Sequence, residues 1–89
     1  MIRYLARFSG HVQGVGFRAT CVAEARDLNV HGTVRNEPDG SVLLDVDGPA
    51  GDLKELIRRI EVAMKGNIDA VVIDQSESKQ RSGGLRISF

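Results

Sequence analysis

The chain is poor in the residues on which several classes of protein depend. It has one cysteine (Cys21), no tryptophan, two prolines and an aromatic content of only 4% in 89 residues. A single cysteine forms no internal disulfide, so a reducing compartment suits this chain. No apolar run approaches the roughly 20 residues that a membrane-spanning helix needs. The N-terminus enters a strand pattern directly, without the features of a secretory leader. We expect a cytoplasmic protein that does not engage membranes.

An excess of charge of either sign is also lacking. Twelve basic and twelve acidic side chains give a formal net charge of zero. Nucleic acids and anionic membranes attract clustered positive charge, so this balance argues against both as partners. The hydrophobic content of 42% and charged content of 27% are typical of a globular protein. We predict a single domain over residues 1–89, and nothing in the sequence requires more than a monomer.

Hydrophobic periodicity divides the chain into strands and helices. Alternating apolar residues predict strands at Met1–Phe8, Ser41–Asp47 and Leu85–Phe89. The stretch Thr33–Glu37, of low apolar content, and the stretch Ala70–Lys79, which begins with an apolar run, are interpreted as two further strands. Helical spacing predicts one helix from Phe17 to Leu28 and a second from Asp52 to Met64. Asp52 and Glu55 resemble a capping box at the start of the second helix. All four aromatic side chains fit core positions, namely Tyr4, Phe8, Phe17 and Phe89.

The order strand-helix-strand-strand-helix-strand, with a short terminal strand, predicts an α+β, ferredoxin-like α/β sandwich. In this fold two helices cover one face of a largely antiparallel sheet. The first strand, first helix and second strand form a crossover unit, so the two strands run parallel. Their carboxyl ends then lie at one edge of the sheet. A glycine-rich segment follows the first strand and Asn36 ends the second, so we expect them side by side.

That glycine-rich segment is Ser9–Arg18, which reads Ser-Gly-His-Val-Gln-Gly-Val-Gly-Phe-Arg. Glycines adopt positive φ without strain, so such a run turns several backbone N–H groups toward one point. A nest of N–H groups ahead of a helix N-terminus binds anions, and the guanidinium of Arg18 suits phosphate oxygens. The spacing differs from that of nucleotide-binding P-loops, and no Ser or Thr is placed to hold magnesium. We expect a phosphate site without a metal or other cofactor.

Two motifs resemble those of the acylphosphatase family. Gly10–Arg18 is similar to Gly-x-Val-Gln-Gly-Val-x-Phe-Arg, and Gly32–Asn36, followed by Asp39-Gly40, is similar to Gly-x-Val-x-Asn. The resemblance covers nearly the whole chain. It implies metal-independent hydrolysis of a small-molecule acylphosphate to a carboxylate and inorganic phosphate, without a covalent intermediate.

The resemblance also implies site residues. Arg18 and Asn36 are the implied catalytic residues, and the implied phosphate-binding loop consists of Gly10, His11, Val12, Gln13, Gly14, Val15 and Gly16. A neutral amide such as that of Asn36 holds a water molecule by geometry but is not a strong base. No general base is evident, and we hypothesise that a substrate phosphate oxygen takes the proton of the water. Because the loop binds through its backbone, we expect His11 to be a surface side chain and Cys21 to be a core residue.

Two other functions remain open at this point. Ferredoxin-like sheets also recognise RNA through exposed aromatic side chains, but the low aromatic content and zero net charge disfavour that function. An acylphosphatase-like domain could instead bind a phosphorylated ligand, or serve within a larger assembly, with little turnover. The presence of both Arg18 and Asn36 favours an active enzyme. Taken alone, Arg18 is also consistent with a solvated helix residue and Asn36 with a turn cap.

Overall fold

A computed structural model describes all 89 residues, Met1–Phe89. The elements are β1 (Ile2–Gly10), α1 (Phe17–Ala25), β2 (His31–Asn36), β3 (Val42–Gly48), α2 (Ala50–Ala63), β4 (Ile68–Glu77) and β5 (Leu85–Ile87). The strands form one sheet in the order β4-β1-β3-β2-β5, in which only the β2–β5 pair is parallel. This is the predicted ferredoxin-like α+β arrangement. Neither helix has the length and apolar content that crossing a lipid bilayer requires.

The strands β1 and β2 run in the same direction, as the crossover unit predicts. Each is antiparallel to β3, which lies between them. Their register places Phe8 of β1 and Asn36 of β2 on either side of the same residue, Val42. The carboxyl ends of β1 and β2 therefore lie close together, which brings the two sequence motifs to one edge of the sheet.

The core lies between the helices and one face of the sheet. Along β1 the alternate residues Tyr4, Ala6 and Phe8 are buried, as their spacing predicts. Phe17, the first residue of α1, packs on Phe8 with the ring centroids 5.1 Å apart. This contact anchors the start of α1 against the end of β1, so both ends of the intervening loop are held by the core.

Cys21 lies in this core, as predicted. Its side chain is completely buried, and burial raises the pKa of the thiol to about 12. A thiol with so high a pKa is almost entirely protonated near neutral pH, and the thiolate is the reactive form of cysteine. Cys21 therefore serves packing.

The predicted strand bounds differ from the structure by at most two residues, and three further expectations about the elements are wrong. Phe89 is fully exposed, because β5 ends at Ile87 and the last residues run beyond the sheet. The helix α1 ends at Ala25, and Leu28 follows in a turn. The third concerns the start of α2.

The expected capping box at Asp52 and Glu55 is absent. The helix α2 begins at Ala50, after Pro49, with no side-chain cap. Asp52 instead accepts a hydrogen bond from the backbone N–H of Asn29, at 3.2 Å. Glu55 binds two arginines one turn further along α2. Asp52 thus has a partner that is distant in sequence, whereas Glu55 pairs within its own helix at the i,i+3 and i,i+4 spacings.

The loop between β4 and β5 is fastened to β3 by charged groups on the sheet face opposite the helices. Asp47 is completely buried and accepts hydrogen bonds from the Lys79 N–H at 3.1 Å and from Arg81 Nε at 2.6 Å. Arg81 also donates to Asp45 at 2.6 Å, and Arg3 donates to Asp45 at 2.9 Å. Burial by itself would raise the pKa of Asp45, but the hydrogen bonds from Arg3 and Arg81 hold it at about 2.

We expect Arg81→Met to lower the free energy of unfolding by about 3 kcal/mol at pH 7, because Asp47 would be left buried without its ionic partner. Asp45 has a pKa below its usual 3.8 in the folded state. Its ion pairs therefore stabilise the fold fully above about pH 4, and this stabilisation is lost as the pH falls toward about 2. The free energy of unfolding, measured with urea, should fall less between pH 7 and pH 2.5 in the variant than in the wild type. Arg86→Met, at an exposed arginine, is the control; equal midpoints for the two variants would contradict the prediction.

Candidate active site

The loop between β1 and α1 presents a row of unused backbone donors. Gly10, Gly14 and Gly16 have φ values of 123°, 76° and 78°, in the region that favours glycine. None of the backbone N–H groups from Val12 through Ala19 donates to another group of the protein. The last of these belong to the first turn of α1, where N–H groups have no partner within the helix. Free donors at the positive end of a helix form a site suited to an anion.

The first two residues of the predicted phosphate-binding loop have a different environment. The N–H of His11 donates to the Asn67 carbonyl at 2.9 Å, and the Asn67 side chain donates back to the His11 carbonyl at 3.0 Å. A side chain on Gly10 would collide with that same Asn67 carbonyl. Gly10 and His11 thus fasten the loop beside β4, and the free donors begin at Val12. The His11 side chain is exposed, as predicted.

A cavity of about 150 Å³ lies between this loop and the ends of β2 and β5. It is lined by Val12, Gly14, Gly16, Phe17, Arg18, Ala19, Asn36 and Ile87. The structure therefore brings Arg18 and Asn36 together with three residues of the predicted loop. Gly10, His11, Gln13 and Val15 do not line the cavity. Neither a carboxylate nor an imidazole nor a thiol is among the lining groups.

Arg18 is the only cationic side chain that lines the cavity. Its guanidinium carbon lies 5.1 Å from the centre of the Phe89 ring, which is within the range of a cation–π contact. Arg35 is engaged by Glu37 at 3.3 Å, whereas Arg18 forms no ion pair with a carboxylate. The charge of Arg18 is therefore available to a bound anion. The sequence did not indicate the contact with Phe89, because the alternation of the last residues suggested a core position.

Asn36 is the last residue of β2, and its half-exposed side chain lines the cavity. Its backbone is paired with Val42 on one side, by the β2–β3 ladder. On the other side, β5 pairs with β2 only from Gly32 to Val34. The amide of Asn36 is thus placed at an open strand end, where it is accessible from the cavity.

The side chain of Gln13 makes a contact that the sequence did not indicate. Its Nε2 donates to the backbone carbonyls of Glu37 and Ser41, at 2.8 and 2.9 Å. These two residues begin and end the turn between β2 and β3, and the Glu37 N–H donates to the Ser41 carbonyl at 2.8 Å. Gln13 belongs to the first motif, and no signal in the sequence indicates its distant partners.

No group of three or more histidine, cysteine, aspartate or glutamate side chains is arranged to share a metal ion. Carboxylates of the β2–β3 turn, which follows Asn36, have partners of their own. The Asp39 carboxylate accepts hydrogen bonds from the hydroxyl and the N–H of Ser41, and these bonds lower the pKa of Asp39. Arg7 donates to the Ser41 hydroxyl at 2.9 Å. This network stiffens the turn that follows Asn36.

Comparisons with known proteins bear on the family and the fold of the chain. The family model for acylphosphatase matches residues 4–87. An acylphosphatase of Salinibacter ruber is 42% identical over 86 residues, which cover 96% of this chain and 90% of that protein. The crystal structure of acylphosphatase from Bacillus subtilis superimposes over the full length of both chains with a TM-score of 0.90 and 27% identity. Full-length HypF, in a phosphate- and nucleotide-bound crystal structure, matches all of this chain with 12% of its own, at a TM-score of 0.76 and 26% identity.

Proposed function

This chain belongs to the acylphosphatase family, and from that membership we propose that its cavity binds the phosphate of an acylphosphate and hydrolyses the carboxyl–phosphate bond without a metal ion. At the level of the family the chain is a hydrolase, with a small-molecule acylphosphate as substrate and phosphate as product. The proposal concerns which residues perform each step. The observation that carries it is the meeting of free N–H groups, Arg18 and Asn36 in one cavity.

In the proposed reaction the N–H groups that follow His11 and the guanidinium of Arg18 hold the phosphate oxygens. A water oxygen attacks phosphorus, the bond from phosphorus to the acyl oxygen breaks, and the carboxylate leaves. Negative charge is spread over the phosphate oxygens in the transition state, so donors aimed at them before the reaction lower its barrier. Of the implied loop residues, Val12–Gly16 supply backbone N–H donors. We call these donors the phosphate cradle, and Gly10 and His11 anchor it.

Asn36 is proposed to orient the attacking water. Its amide offers both a donor and an acceptor, so it can fix the orientation of a water molecule without removing a proton. The carboxylate is a good leaving group, and little proton assistance is required. The proton of the water passes to a substrate phosphate oxygen, which leaves as part of inorganic phosphate. All of these groups come from one chain, so a monomer suffices.

Metal independence is supported by the chemistry of the lining. Magnesium prefers oxygen ligands, carboxylates above all, and the side chains that line the cavity include no carboxylate. The positive charge that a metal would bring to the phosphate is available from Arg18 and from the N-terminus of α1. We therefore propose neither a metal nor any other cofactor for the reaction.

We expect the hydrolysis of a simple aromatic acylphosphate, such as benzoyl phosphate, to proceed at an unchanged rate in excess chelator. The measurement is the initial rate of the purified protein with EDTA, compared with the rate after magnesium is added back. Inorganic phosphate should inhibit competitively, because it occupies the same cradle. A rate that falls in EDTA and returns with magnesium would contradict the metal-free mechanism.

A second candidate function is the binding of a phosphorylated ligand with little turnover. It is favoured by the match to HypF, in which the region similar to this chain is 12% of a much longer protein. The same preparation distinguishes the two functions. A well-folded protein whose melting temperature rises with inorganic phosphate, but which does not hydrolyse benzoyl phosphate, would support the ligand-binding function.

A further inference from the structure

The side chain of Gln13 links the two motifs that form the site. It belongs to the glycine-rich loop, yet its amide nitrogen donates to the carbonyls of Glu37 and Ser41, which follow Asn36 in the β2–β3 turn. We propose that Gln13 is a positioning residue, which fixes Asn36 relative to the phosphate cradle. This inference rests on the proposed function, because it assumes that Asn36 orients the water.

The hydrogen bonds of Gln13 argue against a role as a phosphate ligand through its side chain. The amide nitrogen carries two hydrogens, and each has a backbone carbonyl as its acceptor. The side chain is directed at the turn and does not line the cavity. The backbone N–H of Gln13, by contrast, is among the free donors of the loop. Changing the side chain therefore leaves the cradle itself in place.

The end of β2 is supported on its β3 side, but it has no strand partner on the side of β5. Beyond Val34 it has no partner on the β5 side, where the Ser88 N–H donates to the Val34 carbonyl as the last contact. Asn36 is then held from one side only, by its pairing with Val42. Gln13 supplies the contact between this strand end and the loop that holds the phosphate.

Gln13 also completes the turn itself. The Ser41 carbonyl accepts from the N–H of Glu37, and the Glu37 carbonyl accepts from the N–H of Gly40 at 3.1 Å. One amide group thus bridges the two carbonyls that close the turn directly after Asn36. Without it, the strand end can shift against the cradle. A displacement of about 1 Å in a reacting geometry costs up to about 100-fold in rate.

The test is Gln13→Met, which keeps the length of the side chain and removes both donors. We expect kcat for benzoyl phosphate to fall about tenfold, with the inhibition constant of inorganic phosphate unchanged. In an Asn36→Ala background, whose residual rate comes from the cradle and Arg18, the same change should cause no further loss. Gln75→Met, at an exposed position of β4, is the matched control and should leave both constants unaltered.

Three results would overturn the proposal. The first is an equal loss of kcat in the wild-type and Asn36→Ala backgrounds, which would show that Gln13 acts independently of Asn36. The second is weaker inhibition by phosphate at unchanged kcat, which would make the side chain a phosphate ligand. If Gln13→Met does not fold, Gln13→Lys retains donors for the two carbonyls and should keep kcat within about threefold of wild type. A larger loss in this variant is the third.

Failure of the proposed function is separable from failure of this inference. If the folded wild type shows no turnover, the proposed function is wrong. The role of Gln13 is then decided by the side-chain amide resonances of Asn36 in ¹⁵N-labelled protein. Gln13→Met should shift these resonances and Gln75→Met should not, whereas unchanged resonances in Gln13→Met would overturn the role.

Discussion

Replacing Arg18 by alanine is expected to lower kcat/KM for benzoyl phosphate about 10³-fold. Arg18 is the only cationic side chain that lines the cavity, and no carboxylate neutralises it there. A charged donor that faces the phosphate oxygens stabilises the charge that develops on them during the attack of water. Its loss should therefore reduce kcat and also weaken inhibition by inorganic phosphate.

The variant Arg18→Lys separates charge from geometry. An ammonium keeps the positive charge but lacks the planar fork that binds two phosphate oxygens at once, so we expect it to recover only part of the activity. Arg26→Ala, at an exposed position just after α1, is the control for loss of an arginine and should act like the wild type. Since Arg18 pairs with no carboxylate, the melting temperature should change little. Turnover within a few-fold of wild type in Arg18→Ala would contradict the proposed role.

The second large effect is expected from Asn36→Ala, which should lower kcat about 100-fold while phosphate inhibition is retained. The cradle and Arg18 remain in this variant, so the substrate still binds, but the water loses the group that orients it. This split between kcat and phosphate binding distinguishes Asn36 from Arg18, whose loss affects both. It is measured from initial rates with and without added phosphate.

Asn36→Asp provides a further check on the role of the amide. It keeps the size of the side chain but brings a negative charge into a cavity that otherwise attracts an anion, so phosphate inhibition should weaken. Asn29→Ala, at an exposed position before β2, is the control. Near-normal kcat in Asn36→Ala would exclude the water-orienting role and leave Asn36 as a cap of the turn.

Much of the fold could be predicted because it depends on local patterns. The alternation of Tyr4, Ala6 and Phe8 determines which face of β1 is buried, and the spacing of Phe17 and Cys21 determines which face of α1 packs on it. The crossover rule then places the ends of β1 and β2 at one edge. These steps need only the period of each element and the handedness of the chain, which neighbouring residues specify.

The errors concern where an element ends and which partner a side chain meets. Asp52 and Glu55 have the spacing of a capping box, but nearby donors on other segments and on the next turn offered better partners. Phe89 follows the alternation of a strand, yet the sheet ends before it. The position of Gln13 against the β2–β3 turn was also unforeseen. Apart from the pairs of Glu55, which form within α2, each outcome depends on where another segment of the chain lies.

The sequence by itself determined the order of the elements, the family and a loop whose glycines adopt positive φ. Tertiary structure alone decided which backbone N–H groups of this loop are free. The Asn67 carbonyl accepts a hydrogen bond from the N–H of His11, whereas the N–H groups from Val12 through Ala19 have no partner within the protein. The side chain of Gln13 donates to the Glu37 carbonyl, just beyond the end of β2. The physical reason is that backbone torsion angles are set by local residues, whereas a hydrogen bond requires donor and acceptor to meet within about 3 Å. That meeting depends on the register of the sheet and the packing of the helices on it.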